Sequence, residues 1–156
     1  MEFAEALKHV LKSEGGYSHD STDLGGETNF GITKRFYPNE DIKNITPERV
    51  AEIYYNDYWL KSNCDKLPEN VSLIHFDTAV NMGVGQANRF LQECIGVKVD
   101  GVVGAITLSK AHRANLKDYS RLRLTYYTKI IINKPAQLKY INGWYNRVLE
   151  ILLNSN

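Results

Sequence analysis

Phe3-Ala4-Glu5-Ala6-Leu7-Lys8-His9-Val10-Leu11-Lys12-Ser13-Glu14-Gly15-Gly16-Tyr17 begins as one amphipathic helix and then breaks it. Phe3, Leu7, Val10 and Leu11 recur at three- and four-residue spacing, which places them on one helical face, with Lys8, His9 and Lys12 on the other. The helix is predicted to run to about Ser13, leaving Glu14 at its C-terminal end and Gly15 and Gly16 to stop it with positive φ. From there to Thr33 the chain is rich in Gly, Asp, Ser, Thr and Asn, and reads as loop, hairpin or both.

The same periodicity continues downstream. Thr46-Pro47-Glu48 is a helix start, with Thr46 as cap, Pro47 at the first helical position and an acid against the helix dipole. That helix carries Val50, Ile53, Tyr54 and Tyr58 to about Trp59. Further helices are predicted over Val71 to Met82, Gln86 to about Cys94, Ala105 to Ala114 and Leu116 to Ile132, with a break at Gly83-Val84-Gly85. A last helix follows Asn133-Lys134-Pro135, its stripe being Leu138, Ile141, Tyr145, Val148, Leu149 and Leu152. The expected fold class is all-α, about seven helices with at most one small hairpin, packed orthogonally.

The chain has 156 residues, the size of one ordinary domain, and neither repeat nor linker marks a second. With 43% hydrophobic and 24% charged residues it falls outside the disordered and fibrous classes. No apolar run approaches the roughly 20 residues of a membrane-spanning helix, so no integral membrane segment is expected. The first residues lack the basic start and apolar stretch of a secretory signal; synthesis in the cytoplasm is expected. Cys64 and Cys94 are too few for a disulfide scaffold and are expected as free thiols, a bond between them being the alternative. Residues 1 to 70 hold 8 basic against 13 acidic residues and residues 71 to 156 hold 11 against 5. The basic half points to an anionic polymer, nucleic acid or bacterial envelope, or else is a solvated face.

The chemistry-bearing stretch is Glu14 to Thr33. Glycoside hydrolysis uses one carboxylic acid to protonate the leaving oxygen and a second carboxylate to activate water or support the oxocarbenium-like centre. Glu14, at a helix end, is the candidate acid, and packing against Tyr17 and Phe30 is expected to withdraw it partly from water. Asp23, just before Gly25-Gly26, is the candidate second carboxylate, or else the cap of a turn. Thr28, Asn29 and Thr33 are candidates for holding a water or a sugar hydroxyl, or else satisfy hairpin backbone groups.

The segment with its Glu14-Gly15-Gly16-Tyr17 start, Asp23-Leu24-Gly25-Gly26 centre and Thr28-Asn29-Phe30-Gly31-Ile32-Thr33 end resembles the signature of glycoside hydrolase family 108, the phage and prophage N-acetylmuramidases. Tyr58-Trp59, Leu67-Pro68, Phe76 to Gly83, Phe90-Leu91-Gln92, Asp100 to Gly104 and Gly143 to Arg147 also resemble that family, so the likeness covers nearly the whole chain. Ser21 and Leu24 stand where family members often carry Pro. The resemblance implies hydrolysis of the β-1,4 bond between N-acetylmuramic acid and N-acetylglucosamine, with Glu14 as proton donor; the order Glu14, Asp23, Thr28 is also similar to that of phage lysozymes of other families, with a different spacing after Asp23. It implies one lysozyme-like domain, residues 1–95 catalytic and 96–156 peptidoglycan-binding. Release to the wall through a holin-permeabilised membrane is implied as well.

Outside that segment, Asp77 and Asn81 share a helix face, Asn81 as a possible contact for an N-acetyl group and Asp77 as a structural residue. Tyr17, Tyr58 and Trp59 offer flat faces for sugar, although aromatics at helical spacing are more often core. The four histidines lack ligand spacing and there is no phosphate or dinucleotide loop, so no metal and no cofactor are expected. The expected partner is the peptidoglycan glycan strand, met by a monomer. Nucleic acid is not expected, for want of a motif. A wall-binding module without activity is the alternative, in which Glu14 would be a structural cap.

Overall fold

The computed structural model describes residues 1–19 and 26–154. The chain divides into two compact units, residues 2–57 and residues 58–156 with Met1.

The first unit contains helix α1 (Phe3–Ser13), strands β1 (Ser18–His19), β2 (Glu27–Asn29) and β3 (Ile32–Thr33), and helix α2 (Pro47–Tyr54). Helix α1 buries Ala6, Leu7 and Val10, the expected stripe. It ends where the sequence indicates, but by a different device. Glu14 itself leaves the helix at φ −93° and ψ 140°, its N–H still bonded to the Leu11 carbonyl. Gly15 and Gly16 are not among the positive-φ residues, which include Gly26 and Gly31. The strands form a sheet of order β1-β2-β3, antiparallel throughout, one strand more than a single hairpin. Ser18 faces Thr28 and Thr28 faces Thr33, so these three share one side of the sheet, while Asn29 pairs with Ile32 on the other. The third strand forms because only Phe30 and Gly31 separate Asn29 from Ile32, which sends the chain straight back on itself.

Helix α2 is capped as predicted, the Thr46 hydroxyl accepting from the Arg49 N–H at 3.2 Å. It buries Val50, Ile53 and Tyr54, then widens into a π turn over Tyr55–Leu60 in place of the α-helix expected to reach Trp59.

The second unit holds α3 (Glu69–Met82), α4 (Val84–Ile95), α5 (Ala105–Lys110), α6 (Leu116–Asn133) and α7 (Ile141–Asn154), with 3₁₀ turns between α5 and α6 and between α6 and α7. With α1 and α2 these are the seven helices of the described residues. Helix α3 is the axis of this unit, packed on α4, α6 and α7, with every residue from Val71 to Ala79 buried. A helix buried all round must satisfy its own polar side chains. Thr78 donates to the Ile74 carbonyl at 2.6 Å and Ser72 to the Glu69 carbonyl at 3.1 Å. Asp77 accepts from Arg123 Nη1 at 2.6 Å and from Arg147 Nε at 2.9 and 3.0 Å. His75 lies between the Ser62 carbonyl, 3.1 Å from Nε2, and the Tyr119 hydroxyl, 2.9 Å from Nδ1. A carbonyl only accepts, so Nε2 carries the proton of the neutral ring, while Nδ1 faces the Tyr119 hydroxyl, which also reaches the Ala87 carbonyl at 3.1 Å.

Gln92 organises the Asp100 to Gly104 turn, its amide donating to Asp100 Oδ1 and its oxygen accepting from the N–H of Asp100 and Gly101. Cys64 is buried and Cys94 half-buried, both as free thiols, and burial pushes the Cys64 thiol up to about 12. The stripe predicted for the last helix needs correction. Val148 and Ile151 are its buried residues, while Leu138 is 59% and Leu149 39% exposed. Leu138 lies in the 3₁₀ turn Pro135–Tyr140, which is out of phase with α7, and Leu149 is one step round from Val148. No helix of the described residues is long and apolar enough to cross a membrane.

Two stability predictions follow from α3. Asp77→Ala leaves two guanidinium groups around a vanished carboxylate and should lower unfolding free energy by about 3–5 kcal/mol in urea titrations; a loss below about 1 kcal/mol would contradict the role given to this cluster. Burial pushes the His75 imidazole down from 6.5 to about 4. The unfolded chain therefore takes up a proton that the folded chain refuses. Stability present above about pH 6.5 should fall by about 3 kcal/mol as pH drops towards 4, and His75→Gln should remove most of that slope.

Candidate active site

Within the unit of residues 2–57, the end of α1, the β2–β3 turn and the last residue of α2 meet at one point. Phe30 and Gly31 both have positive φ, 50° and 75°, the signature of a type I′ hairpin turn. Phe30 is a costly residue for that conformation, by about 1–3 kcal/mol. Its carbonyl is held by the Tyr54 hydroxyl, which donates at 2.8 Å from a side chain only 1% exposed. Gly31 is required on two counts. Besides its positive φ, a Cβ there would stand 2.6 Å from Glu14 Oε2 and 2.7 Å from Tyr54 Oη. The backbone at Gly31 is therefore in contact with both the Glu14 carboxylate and the Tyr54 phenol. Glu14 is half-buried and is set by the helix end on one side and a tight turn on the other.

The other predicted site residues fall as follows. Tyr17 is 43% exposed and its hydroxyl donates to Glu27 Oε1 at 3.0 Å; that bond is the main reason its pKa lies above the ordinary phenol value. Asp23 lies outside the described residues. Thr28 is half-buried at the centre of the sheet, between Ser18 and Thr33. The Thr33 hydroxyl is buried with no hydrogen-bond partner among the described residues. Asn29 requires correction as a substrate contact: it is buried, and its Nδ2 donates to the carbonyls of Ile42 at 3.1 Å and Lys43 at 3.4 Å, bracing the hairpin against the next loop.

Tyr58, Trp59 and Asn81 belong to the unit of residues 58–156. Trp59 also requires correction. It is 3% exposed and packs edge-on against Phe76 with ring centroids 5.2 Å apart, so it is core and offers no face to a sugar. Tyr58 is half-buried and Asn81 is exposed on the last turn of α3. Gly31 and the particular place of Tyr54 were not picked out by sequence reasoning. The available signal was Asn29-Phe30-Gly31-Ile32, a two-residue turn with Gly in its second position. Among the described residues no three His, Cys, Asp or Glu side chains gather as a metal site would require.

The profile of a family described as Glycosyl hydrolase 108 matches residues 7–83, and one described as Predicted Peptidoglycan domain matches residues 86–149. No curated protein matches the chain. Among solved structures, the Brucella abortus protein titled "Structure of Brucella abortus SagA" is 30% identical over 98% of this chain and 92% of that one, with a TM-score of 0.82. The chain belongs to the glycosyl hydrolase 108 family. Membership makes it a glycoside hydrolase, and the second match makes peptidoglycan its substrate class. Glu14, Gly31 and Tyr54 all lie inside the glycosyl hydrolase match. The two matches meet at the break between α3 and α4, where Gly83 takes φ 90°.

The contact at Gly31 yields a double-mutant test. Gly31→Ala should destabilise the family member by about 1–3 kcal/mol in thermal unfolding, because it adds a strained φ and a clash. Adding Glu14→Ala removes the nearer clashing group and should recover at least about 0.5 kcal/mol. Strict additivity of the two changes would mean that the carboxylate does not touch this turn.

Proposed function

We propose that this glycosyl hydrolase 108 chain is an N-acetylmuramidase that cuts the β-1,4 bond between N-acetylmuramic acid and N-acetylglucosamine, with Glu14 as the acid. The observation that carries the reading is the lodging of the Glu14 carboxylate against Gly31, which the Tyr54 hydroxyl also approaches, at the junction of a helix end and a hairpin turn. A general acid must stand at a fixed point beside the bond it breaks, and a half-buried carboxyl between two rigid elements meets that need. The absence of a side chain at Gly31 leaves the carboxylate room that any other residue would fill.

In this reading the Glu14 proton passes to the glycosidic oxygen as its bond to the anomeric carbon breaks, and the leaving sugar departs as an alcohol. Water then adds to the oxocarbenium-like centre and loses a proton, which restores the acid over the full cycle. Asp23 is assigned to that second half, as the carboxylate that supports the centre or activates the water, with Thr28 as a holder of that water. Tyr17, Thr33 and Tyr58 are kept as sugar contacts. The division of labour is part of the same proposal, residues 1–95 cutting and residues 96–156 holding the wall.

Clearing of purified cell walls by the wild type and by Glu14→Gln tests the assignment. The substitution keeps size and hydrogen bonding but removes the proton to be given, so clearing should fall by about 10²- to 10⁴-fold. Equal clearing by both proteins would overturn Glu14 as the acid. Mass spectrometry of the digest should show reducing N-acetylmuramic acid ends; reducing N-acetylglucosamine ends or cut peptides would name a different enzyme.

A further inference from the structure

In the unit of residues 58–156 a chain of hydrogen bonds dictates which way one exposed amide points. It starts at Asp77, fully buried, which accepts from Arg123 Nη1 at 2.6 Å. A guanidinium only donates, and Arg123 turns Nε and Nη2 towards the Tyr127 oxygen at 3.2 and 3.1 Å. That oxygen therefore accepts, and its single proton has one destination, Asn81 Oδ1 at 2.6 Å. Burial holds the Tyr127 phenol above its ordinary pKa, so the proton stays available to donate. Arg123 Nη2 adds a longer contact of 3.5 Å to the same Asn81 oxygen. The amide of Asn81 is thereby oriented, with its oxygen inward and the two N–H groups of Nδ2 directed away from the cluster. Among the described residues nothing bonds to Nδ2.

Asn81 is also one of the residues lining a hollow of about 230 Å³, with Met82, Tyr126, Tyr127, Ile130 and Trp144. Tyr126 and Ile130 also line a second hollow of about 380 Å³, whose polar residues are Asn133, Lys134 and Gln137. The aromatic walls are fixed in place. Trp144 stacks on Tyr127 at 4.8 Å and 16°, and Tyr126 meets Phe90 edge-on at 5.5 Å. The first hollow thus offers a directed donor pair beside apolar and aromatic surface, with no charged side chain in its lining.

A ligand complementary to that arrangement carries a neutral acceptor next to a small apolar group on a body with a flat C–H face. An acetamido sugar has all three: its carbonyl oxygen to receive Nδ2, its methyl for Met82 and Ile130, and its ring C–H groups for the side of the hollow lined by Tyr126 and Trp144, the latter held by stacking on Tyr127 and Tyr140. We infer that this hollow binds an acetamido sugar of the glycan strand, with Asn81 as the residue that reads the N-acetyl group. The inference rests on the peptidoglycan reading for its choice among acetamido ligands. A plain glucan lacks the acceptor and the methyl.

The test uses the 156-residue Glu14→Gln chain, which should not consume the ligand, titrated with the β-1,4 tetramers of N-acetylglucosamine and of glucose. The chain has two tryptophans, Trp59 and Trp144, so their indole N–H signals are assigned by Trp144→Phe. The acetylated tetramer should shift the Trp144 indole and the Asn81 side-chain amide signals, and the glucose tetramer should not. Asn81→Asp keeps an acceptor for Tyr127 and Arg123 but removes both N–H groups. It should fold as the parent does and weaken binding at least about tenfold. No shift at Trp144 with about 1 mM acetylated tetramer, an equal shift from glucose tetramer, or binding by Asn81→Asp within about twofold of the parent would each overturn the site. Wall clearing by Glu14→Gln bears on the catalytic reading alone and leaves these titrations as they are, so the two failures are distinguishable.

Discussion

A carboxylate removed from water costs several kcal/mol unless charged partners surround it, and Asp77 is such a group at the axis of the larger unit. Arg123 comes from α6 and Arg147 from α7, so the pairing holds only while those helices stand beside α3 at one register. Hydrophobic burial is indifferent to a small slide of one helix along another. The Asp77 cluster is not, because a guanidinium displaced by one turn would leave the carboxylate without its donor. It therefore ties α3, α6 and α7 to one register, and Tyr127 and Asn81 extend it towards the surface.

In the smaller unit backbone strain has a comparable part. Phe30 at φ 50° is tolerated because Tyr54 anchors its carbonyl and Gly31 completes the turn without a side chain. The outcome is local crowding of three groups, the Glu14 carboxylate, the Tyr54 phenol and the backbone of Gly31. A relaxed turn of another type would splay β2 and β3 and carry the turn off the helix end. The strain and the proximity are thus two descriptions of the same geometry.

The helices were legible because their signals are local. The stripe Leu7, Val10 in α1, the Thr46-Pro47 start of α2 and the break at Gly83 each need only a few neighbouring residues to be read. Glu14 at a helix end was legible for the same reason. What escaped depends on residues distant in sequence or on conformations without a propensity signal. Asp77 meets Arg123 and Arg147 at separations of 46 and 70 residues, and no periodicity announces such a pair. Phe30 at positive φ is anchored by Tyr54, 24 residues away. Trp59 could not be told from a sugar platform, since spacing gives the helix face and not what covers it. Asn29, read as a holder of a water or a sugar hydroxyl or else as a partner of hairpin backbone groups, is engaged by carbonyls 13 and 14 residues further on, beyond the hairpin.

Two buried tyrosines place the chemistry-bearing atoms, and a comparison between them shows how direction is imposed on a hydroxyl. A lone hydroxyl rotates and can donate either way. Tyr54 has its direction set by what it meets, the Phe30 carbonyl, which has no proton to offer. Tyr127 has its direction set from behind, by a guanidinium that occupies its lone pairs and leaves the proton facing Asn81. Phenylalanine at either position would preserve the packing and lose the orientation. Each tyrosine therefore converts a constraint deep in its unit, strain in one case and a buried ion cluster in the other, into a fixed polar atom nearer the surface. A polysaccharide carries no charge on most of its sugars and is recognised chiefly through hydroxyl and acetamido groups, so donors and acceptors of settled direction are what a protein needs in order to hold it.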